Sequence, residues 1–365
     1  MSARLQAALG RIRQDVQGMH AYAIQDARGL IKLDAMENPY GLPPALQQEL
    51  GRRLGAVALN RYPGPRIDEL KAALARFVDL PDGAALMLGN GSDELISLLA
   101  VACHVPGAAI LAPVPGFVMY EMAARLHGLR FVGVPLTADF ALDELALLAA
   151  LRRERPAITY LAYPNNPTGN LWDEGAVRRV IEAAASFGGL VVIDEAYQPF
   201  ASRTWLDVWR AQPDAHGHVL IMRTLSKFGL AGVRLGYLIG AQRLIAELDK
   251  VRPPYNVSSL NAEAALFALE HADAYARQAA AIRAERERLL QALAALPGVQ
   301  PFPSEANMIL VRVPDATKAF AGLRARGVLV KNVSTMHPLL AGCLRLTVGT
   351  PAENDALLAA LPVSL

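Results

Sequence analysis

The sequence predicts an α/β protein: a large domain with a mostly parallel, seven-stranded sheet covered by helices, followed by a smaller α+β domain. Three observations lead there. Seven apolar runs of four to six residues alternate with longer helical patterns, as expected of strands buried on both faces of a parallel sheet. Arg252-Pro253-Pro254-Tyr255 then breaks the alternation, which places the start of a second domain. Lastly, 365 residues exceed one typical core, and 53% hydrophobic against 19% charged residues leaves ample material for a dry interior. The expected division is an N-terminal arm over 1–44, a large domain over 45–252 and a small domain over 253–365.

Taken in order, the arm holds Pro39, Pro43 and Pro44. Their missing amide donors bar it from the middle of a sheet, so it is expected to pack against the small domain and a partner subunit. Strands are read at Ala84–Leu88, Ala108–Ala112, Leu129–Val134, Ala157–Ala162, Leu190–Ile193, Val219–Met222 and Leu235–Ile239. Ser92–Cys103, Asp173–Phe187 and Arg243–Arg252 have the length and apolar spacing of helices that cover such a sheet. Leu95 to Tyr120 carries no Asp, Glu, Lys or Arg, but Pro106, Gly107, Pro113 and Pro115 cut it into helix, turn and strand rather than a membrane span. Leu260–Leu296 is long enough for one or two helices. Asn307–Val313, Thr317–Arg326, Val328–Lys331 and Cys343–Val348 then alternate strand and helix up to a terminal helix.

Composition excludes several classes of function. A formal net charge of +2 with scattered basic residues gives no field for nucleic acid. Cys103 and Cys343 are the only cysteines and have no metal-ligand spacing, so neither a disulfide framework nor a metal site is expected. Arg4, Arg11 and Arg13 precede no apolar stretch of signal-peptide type, and a cytoplasmic protein that leaves membranes alone is expected.

The chemistry concentrates around Lys227. It follows an apolar strand and precedes Phe228-Gly229-Leu230-Ala231-Gly232-Val233-Arg234, a poor place for a solubilising charge and a good one for a Schiff base with an aldehyde cofactor. Asp194 ends another strand, at the sheet edge where ligands collect, and could pair a ring nitrogen; read locally it is a helix cap. Tyr197 and Asn166, the latter in the turn Tyr163-Pro164-Asn165-Asn166-Pro167-Thr168-Gly169, could both reach a phenolic oxygen, or be a core tyrosine and an ordinary turn residue. Gly89-Asn90-Gly91-Ser92-Asp93-Glu94 offers amides at a helix N-terminus to an anion, and equally a plain N-cap. Thr224, Ser226 and Arg234 add phosphate donors, and Phe117 could stack on a ring.

Together these segments resemble the fold type I pyridoxal phosphate aminotransferases, and within them the histidinol-phosphate aminotransferase family. The resemblance spans nearly the whole chain. It rests on Leu33 to Gly41, Asn60-Arg61-Tyr62-Pro63, Gly89 to Glu94, Tyr163 to Gly169, Asp194-Glu195-Ala196-Tyr197, Thr224 to Arg234 and Leu344 to Thr350. It implies that Lys227 is the Schiff-base lysine and proton shuttle, that Asp194 pairs the pyridine nitrogen, and that Asn166 and Tyr197 hold the phenolic oxygen. Phe117 is implied as the stacking residue, and Gly91, Ser92, Thr224, Ser226 and Arg234 as the phosphate cup. Tyr62 would reach the cofactor phosphate of a neighbouring subunit in a homodimer with shared active sites. Arg345 would take the anionic end of the substrate, with Tyr22 and Lys331 near its phosphate.

The implied reaction is transamination of L-histidinol phosphate with 2-oxoglutarate, giving imidazole acetol phosphate and L-glutamate in histidine biosynthesis. An aromatic amino acid aminotransferase and a threonine-phosphate decarboxylase are the alternatives on the same scaffold. A cofactor-sensing regulator would need a DNA-binding segment that the sequence does not display. Three positions depart from the family pattern. Met36 stands where Asn is common, the Lys227-to-Arg234 loop is one residue short, and Lys331 replaces the more usual arginine, turning a bidentate grip into a point charge.

Overall fold

The structure is a computed structural model that describes residues 2–19 and 25–365. Its first strand, β1 (Ile31–Lys32), belongs to the arm. The next seven are β2 (Ala84–Gly89), β3 (Ala109–Val114), β4 (Arg130–Pro135), β5 (Ile158–Ala162), β6 (Leu190–Asp194), β7 (Val219–Thr224) and β8 (Gly236–Ala241). They form one seven-stranded sheet in the order β2-β8-β7-β6-β5-β3-β4. Each of the seven apolar runs is one of these strands. Only β8 runs against its neighbours, pairing antiparallel with β2 and β7. The C-terminal ends of β2, β3, β5, β6 and β7 therefore share one edge, and the chain order reverses around β3 and β5, which opens a crevice there.

Helices close both faces. Ser92–Ala102 and Met119–Leu126 bury Leu95, Leu99, Tyr120 and Ala123 against one side of the sheet. On the other side, Glu174–Ala185 buries Val177, Val180 and Ile181, and its start is fixed by Asp173, whose side chain accepts from the Ala176 amide at 2.8 Å. The charge-free stretch resolves as the sequence suggests, into a helix, a turn and β3. Among the described residues no helix is long and apolar enough to cross a membrane.

The second half holds β9 (Gln300–Pro301), β10 (Met308–Arg312), β11 (Val328–Leu329), β12 (Lys331–Asn332) and β13 (Cys343–Thr347). Sheet order here is β12-β13-β10-β9. Leu260–Leu296 resolves into two helices, Ser259–Glu270 and Ala272–Ala294, which meet at His271. The first packs on the large-sheet core through Ala262, Ala265 and Leu266, and so does Tyr275, at the start of the second. From Ala279 onward the second helix packs into the small core with Ile309, Val311 and Leu346. Val328–Lys331, read as one strand, is two: β11 pairs parallel with β1, and β12 pairs antiparallel with β13. The arm is stitched to this half, since the Thr347 amide donates to the Leu33 carbonyl at 3.0 Å.

Candidate active site

Each strand that ends at the crevice delivers one group to it. Phe117 follows β3, Asn166 follows β5, Asp194 ends β6, Thr224 ends β7 with Ser226 and Lys227 just beyond, and Ser92 opens the helix after β2. These side chains and those of Tyr197 and Arg234 line a single cavity of about 110 Å³. Gly91 shapes its wall. With φ 86°, that glycine lets the Arg234 guanidinium come so close that an added Cβ would lie 2.7 Å from Nη2.

Asp194 is held from two sides. Tyr120 Oη donates to Oδ2 at 2.6 Å, and the Ala196 amide donates to Oδ1 at 3.0 Å. Tyr120 is fixed by stacking on Tyr160, with ring centroids 4.3 Å apart. Burial pushes the Asp194 carboxyl up to about 6, while the Tyr120 hydrogen bond pulls the other way. A positive ring nitrogen facing this carboxyl would complete its charge balance.

Beside it, Asn166 Nδ2 donates to Tyr197 Oη at 3.0 Å, leaving the hydroxyl proton available to the cavity. Burial raises the Tyr197 phenol above its ordinary range, so it stays a donor. Lys227 Nζ lies 5.8 Å from the Tyr197 ring centroid and donates to the Ala35 carbonyl of the arm at 3.1 Å. Burial, then the Arg345 and Arg234 charges, bring this amine down to about 8, with Glu37 opposing. On the same cavity, Thr224 Oγ1 donates to Ser226 Oγ at 2.9 Å. Arg234 reaches Ser226 Oγ at 3.4 Å and Asp93 Oδ2 at 3.1 Å. The short loop still brings this arginine to the hydroxyls because Arg234 itself adopts a left-handed backbone, φ 54°.

A second cavity of about 600 Å³ opens beside the first and shares Met36, Phe117 and Asn166 with it. Lys331 and Arg345, paired across β12 and β13, line this one. Arg345 Nη1 donates to Asn166 Oδ1 and Nη2 to the Asp34 carbonyl, both at 2.8 Å. Tyr62 is elsewhere: it is 75% exposed, stacked on Tyr255 at 4.3 Å and outside its own chain's cavity. Tyr22 lies outside the described residues.

The match that decides the family covers residues 28–361 and is to aminotransferase class I and II. The chain belongs to that family. This aminotransferase is 73% identical to the histidinol-phosphate aminotransferase of Methylibium petroleiphilum, over 96% of this chain and 93% of that one. It is 68% identical to the enzyme of the same name from Paracidovorax citrulli, over 100% of both. A solved histidinol-phosphate aminotransferase from Sinorhizobium meliloti, in complex with pyridoxal-5'-phosphate, superposes with a TM-score of 0.85 at 27% identity, covering 98% of each chain.

Pyridoxal 5'-phosphate is the cofactor of this aminotransferase, and the residues fit it. Asp194 offers a buried carboxyl for a pyridinium, Asn166 and Tyr197 offer donors for a phenolate, and the missing Cβ of Gly91 lets the Arg234 guanidinium lie beside Ser226 as a donor for a phosphate. Tyr120 and the carbonyls of Asp34 and Ala35 are functional groups that sequence reading missed. Tyr120 reads as core in its apolar stretch, although a buried tyrosine hydroxyl generally needs a partner, which was the available signal.

Proposed function

We propose that the protein is a histidinol-phosphate aminotransferase, moving the amino group of L-histidinol phosphate to 2-oxoglutarate to form imidazole acetol phosphate and L-glutamate. The identity of 73% over nearly the whole chain to a relative of that name carries the reading. A cavity with Lys331 and Arg345 side by side, beside the lysine site, supports an anionic substrate.

Bound at this site, pyridoxal phosphate supplies a carbonyl carbon for the amine and a ring that accepts electrons as the Cα–H bond breaks. The chain's own groups do the rest. Lys227 Nζ takes the proton from the substrate Cα, and an amine near 8 is far closer to the working pH than an ordinary lysine. Asp194, fixed by Tyr120, would pair the ring nitrogen and keep it protonated. Asn166 and Tyr197 would donate to the phenolic oxygen. Arg345 exchanges its contacts with Asn166 and Asp34 for the substrate anion, with Lys331 as a second charge.

A homodimer working in the cytoplasm is part of the same proposal, with Tyr62 of one protomer reaching the cofactor phosphate of its partner. Its exposure and its place outside its own cavity support this. Sedimentation should give a dimer, and Tyr62→Ala should weaken cofactor binding without changing the spectrum of the fully loaded protein.

The deciding experiment follows the absorption of cofactor-loaded protein as L-histidinol phosphate, then L-phenylalanine, is added without acceptor. Conversion to the pyridoxamine form at far lower L-histidinol phosphate is expected. Equal or better conversion by phenylalanine would transfer the assignment to an aromatic amino acid aminotransferase, and release of CO2 would transfer it to a decarboxylase.

A further inference from the structure

Met36 has φ 51°, a left-handed backbone that glycine and asparagine adopt readily and a methionine does not. The surroundings impose it. Its amide donates to Thr347 Oγ1 at 3.0 Å, and its carbonyl accepts from Asn307 Nδ2 at 3.0 Å. Neither bond calls for a long thioether side chain, and strain of this kind persists where a site uses it.

The Met36 side chain is buried, in the same apolar cluster as Leu33 and Tyr197. With Phe117 and Asn166 it borders both the cofactor cavity and the larger cavity beside it. These three residues therefore form the throat between the place of the ring and the place of the substrate's anion, and a reacting carbon must sit at that throat. Of the three, only Met36 and Phe117 are apolar. Among the ionic groups lining the larger cavity, Lys32, Lys331 and Arg345 suit a phosphate, whereas Asp34 and Glu37 carry the opposite sign.

We propose that Met36 is a specificity-determining residue: its thioether and the edge of Phe117 form an apolar collar that favours substrates carrying a planar ring one carbon from the reacting amine carbon. This rests on the reading of the protein as a histidinol-phosphate aminotransferase, whose substrate bears its imidazole at that position. Thioether sulfurs pack favourably against aromatic rings, and a contact of that size corresponds to about a threefold to tenfold preference.

The test compares wild type, Met36→Asn and Met36→Leu holoenzymes. Two substrates are used, L-histidinol phosphate and (S)-2-aminopropyl phosphate, which keeps the amine and phosphate but lacks the ring. The dissociation constant of imidazole acetol phosphate is measured alongside. Met36→Asn should lower the kcat/KM ratio of the ring substrate to the ring-free one about threefold to tenfold and weaken imidazole acetol phosphate by a similar factor. Met36→Leu, which keeps an apolar wall, should retain most of the preference, so a general loss of folding cannot mimic the result. A Met36→Asn protein with the wild-type ratio, or a Met36→Leu protein that loses as much, overturns the proposal alone. A wild type that turns over neither phosphate overturns the substrate reading and this proposal with it.

Discussion

The two halves of the site are built in opposite ways. The proposed cofactor half is assembled from the ends of neighbouring strands in one sheet, so Phe117, Asn166, Asp194 and Lys227 owe their mutual positions to backbone pairing that the core already enforces. The proposed substrate half is assembled from the arm, β12 and β13, and its arginine, Arg345, is held by an arm carbonyl and a turn amide from the other half. A site made of one sheet is rigid by construction. A site made where two cores meet depends on how those cores are joined.

If that contrast is right, substitutions in the two halves should fail differently. Lys227→Ala should have the largest effect, at least about 10⁴-fold on transamination measured by glutamate formation, because it removes the proton-moving group itself. Steady turnover in that variant would show that the cofactor half is misassigned. Next, Arg345→Ala should lower kcat/KM for L-histidinol phosphate about 100-fold while leaving cofactor affinity within about twofold, since it truncates a buried charge outside the cofactor's own contacts. A matching loss of cofactor affinity would mean that the halves are not separable.

A smaller effect is expected behind the cofactor. Tyr120→Phe should lower kcat about tenfold with little change in KM and weaken binding of cofactor to the empty protein, the scale of one charge-assisted hydrogen bond. Tyr160→Phe should do neither, because its buried hydroxyl has no hydrogen-bond partner among the described residues and the stack survives.

A different effect is expected on the stability of the cofactor-free protein. Asp194 is raised from 3.8 to about 6, so the folded state holds a proton that the unfolded chain gives up between those values. This contribution to stability is lost as pH rises through that window, by at most about 3 kcal/mol, and Asp194→Asn should lack it. Lys227 is lowered from 10.5 to about 8, so the unfolded chain binds the extra proton and stability should rise between about 8 and 10.5, a gain absent from Lys227→Met. Chemical denaturation at several pH values, comparing wild type with each variant, checks both signs.

The same contrast explains what could be read in advance. Strands β2 to β8 are punctuated by turns, and the groups at or just past the ends of β2, β3, β5, β6 and β7 are placed by the sheet. Local pattern therefore placed Asp194, Asn166 and Lys227 at strand ends, which the structure brings to one cavity. The division of Val328–Lys331 into two strands was invisible, because all four residues suit a strand and the partner of the first two residues, β1, lies nearly 300 positions away in sequence. Tyr120 was hidden for a similar reason: its partner is 74 positions away. The contacts of Ala35 and Asp34 come from backbone carbonyls, which no residue type announces.

Asn166 touches Tyr197 with one end of its amide and Arg345 with the other. In a two-substrate cycle, donor and acceptor would present their anions to this same guanidinium in turn. Under the proposed function, occupancy by either would shut out the other, so an excess of one substrate would act as a brake on the second half of the cycle. The enzyme would then need no separate device to keep the two amine-exchanging partners from arriving together.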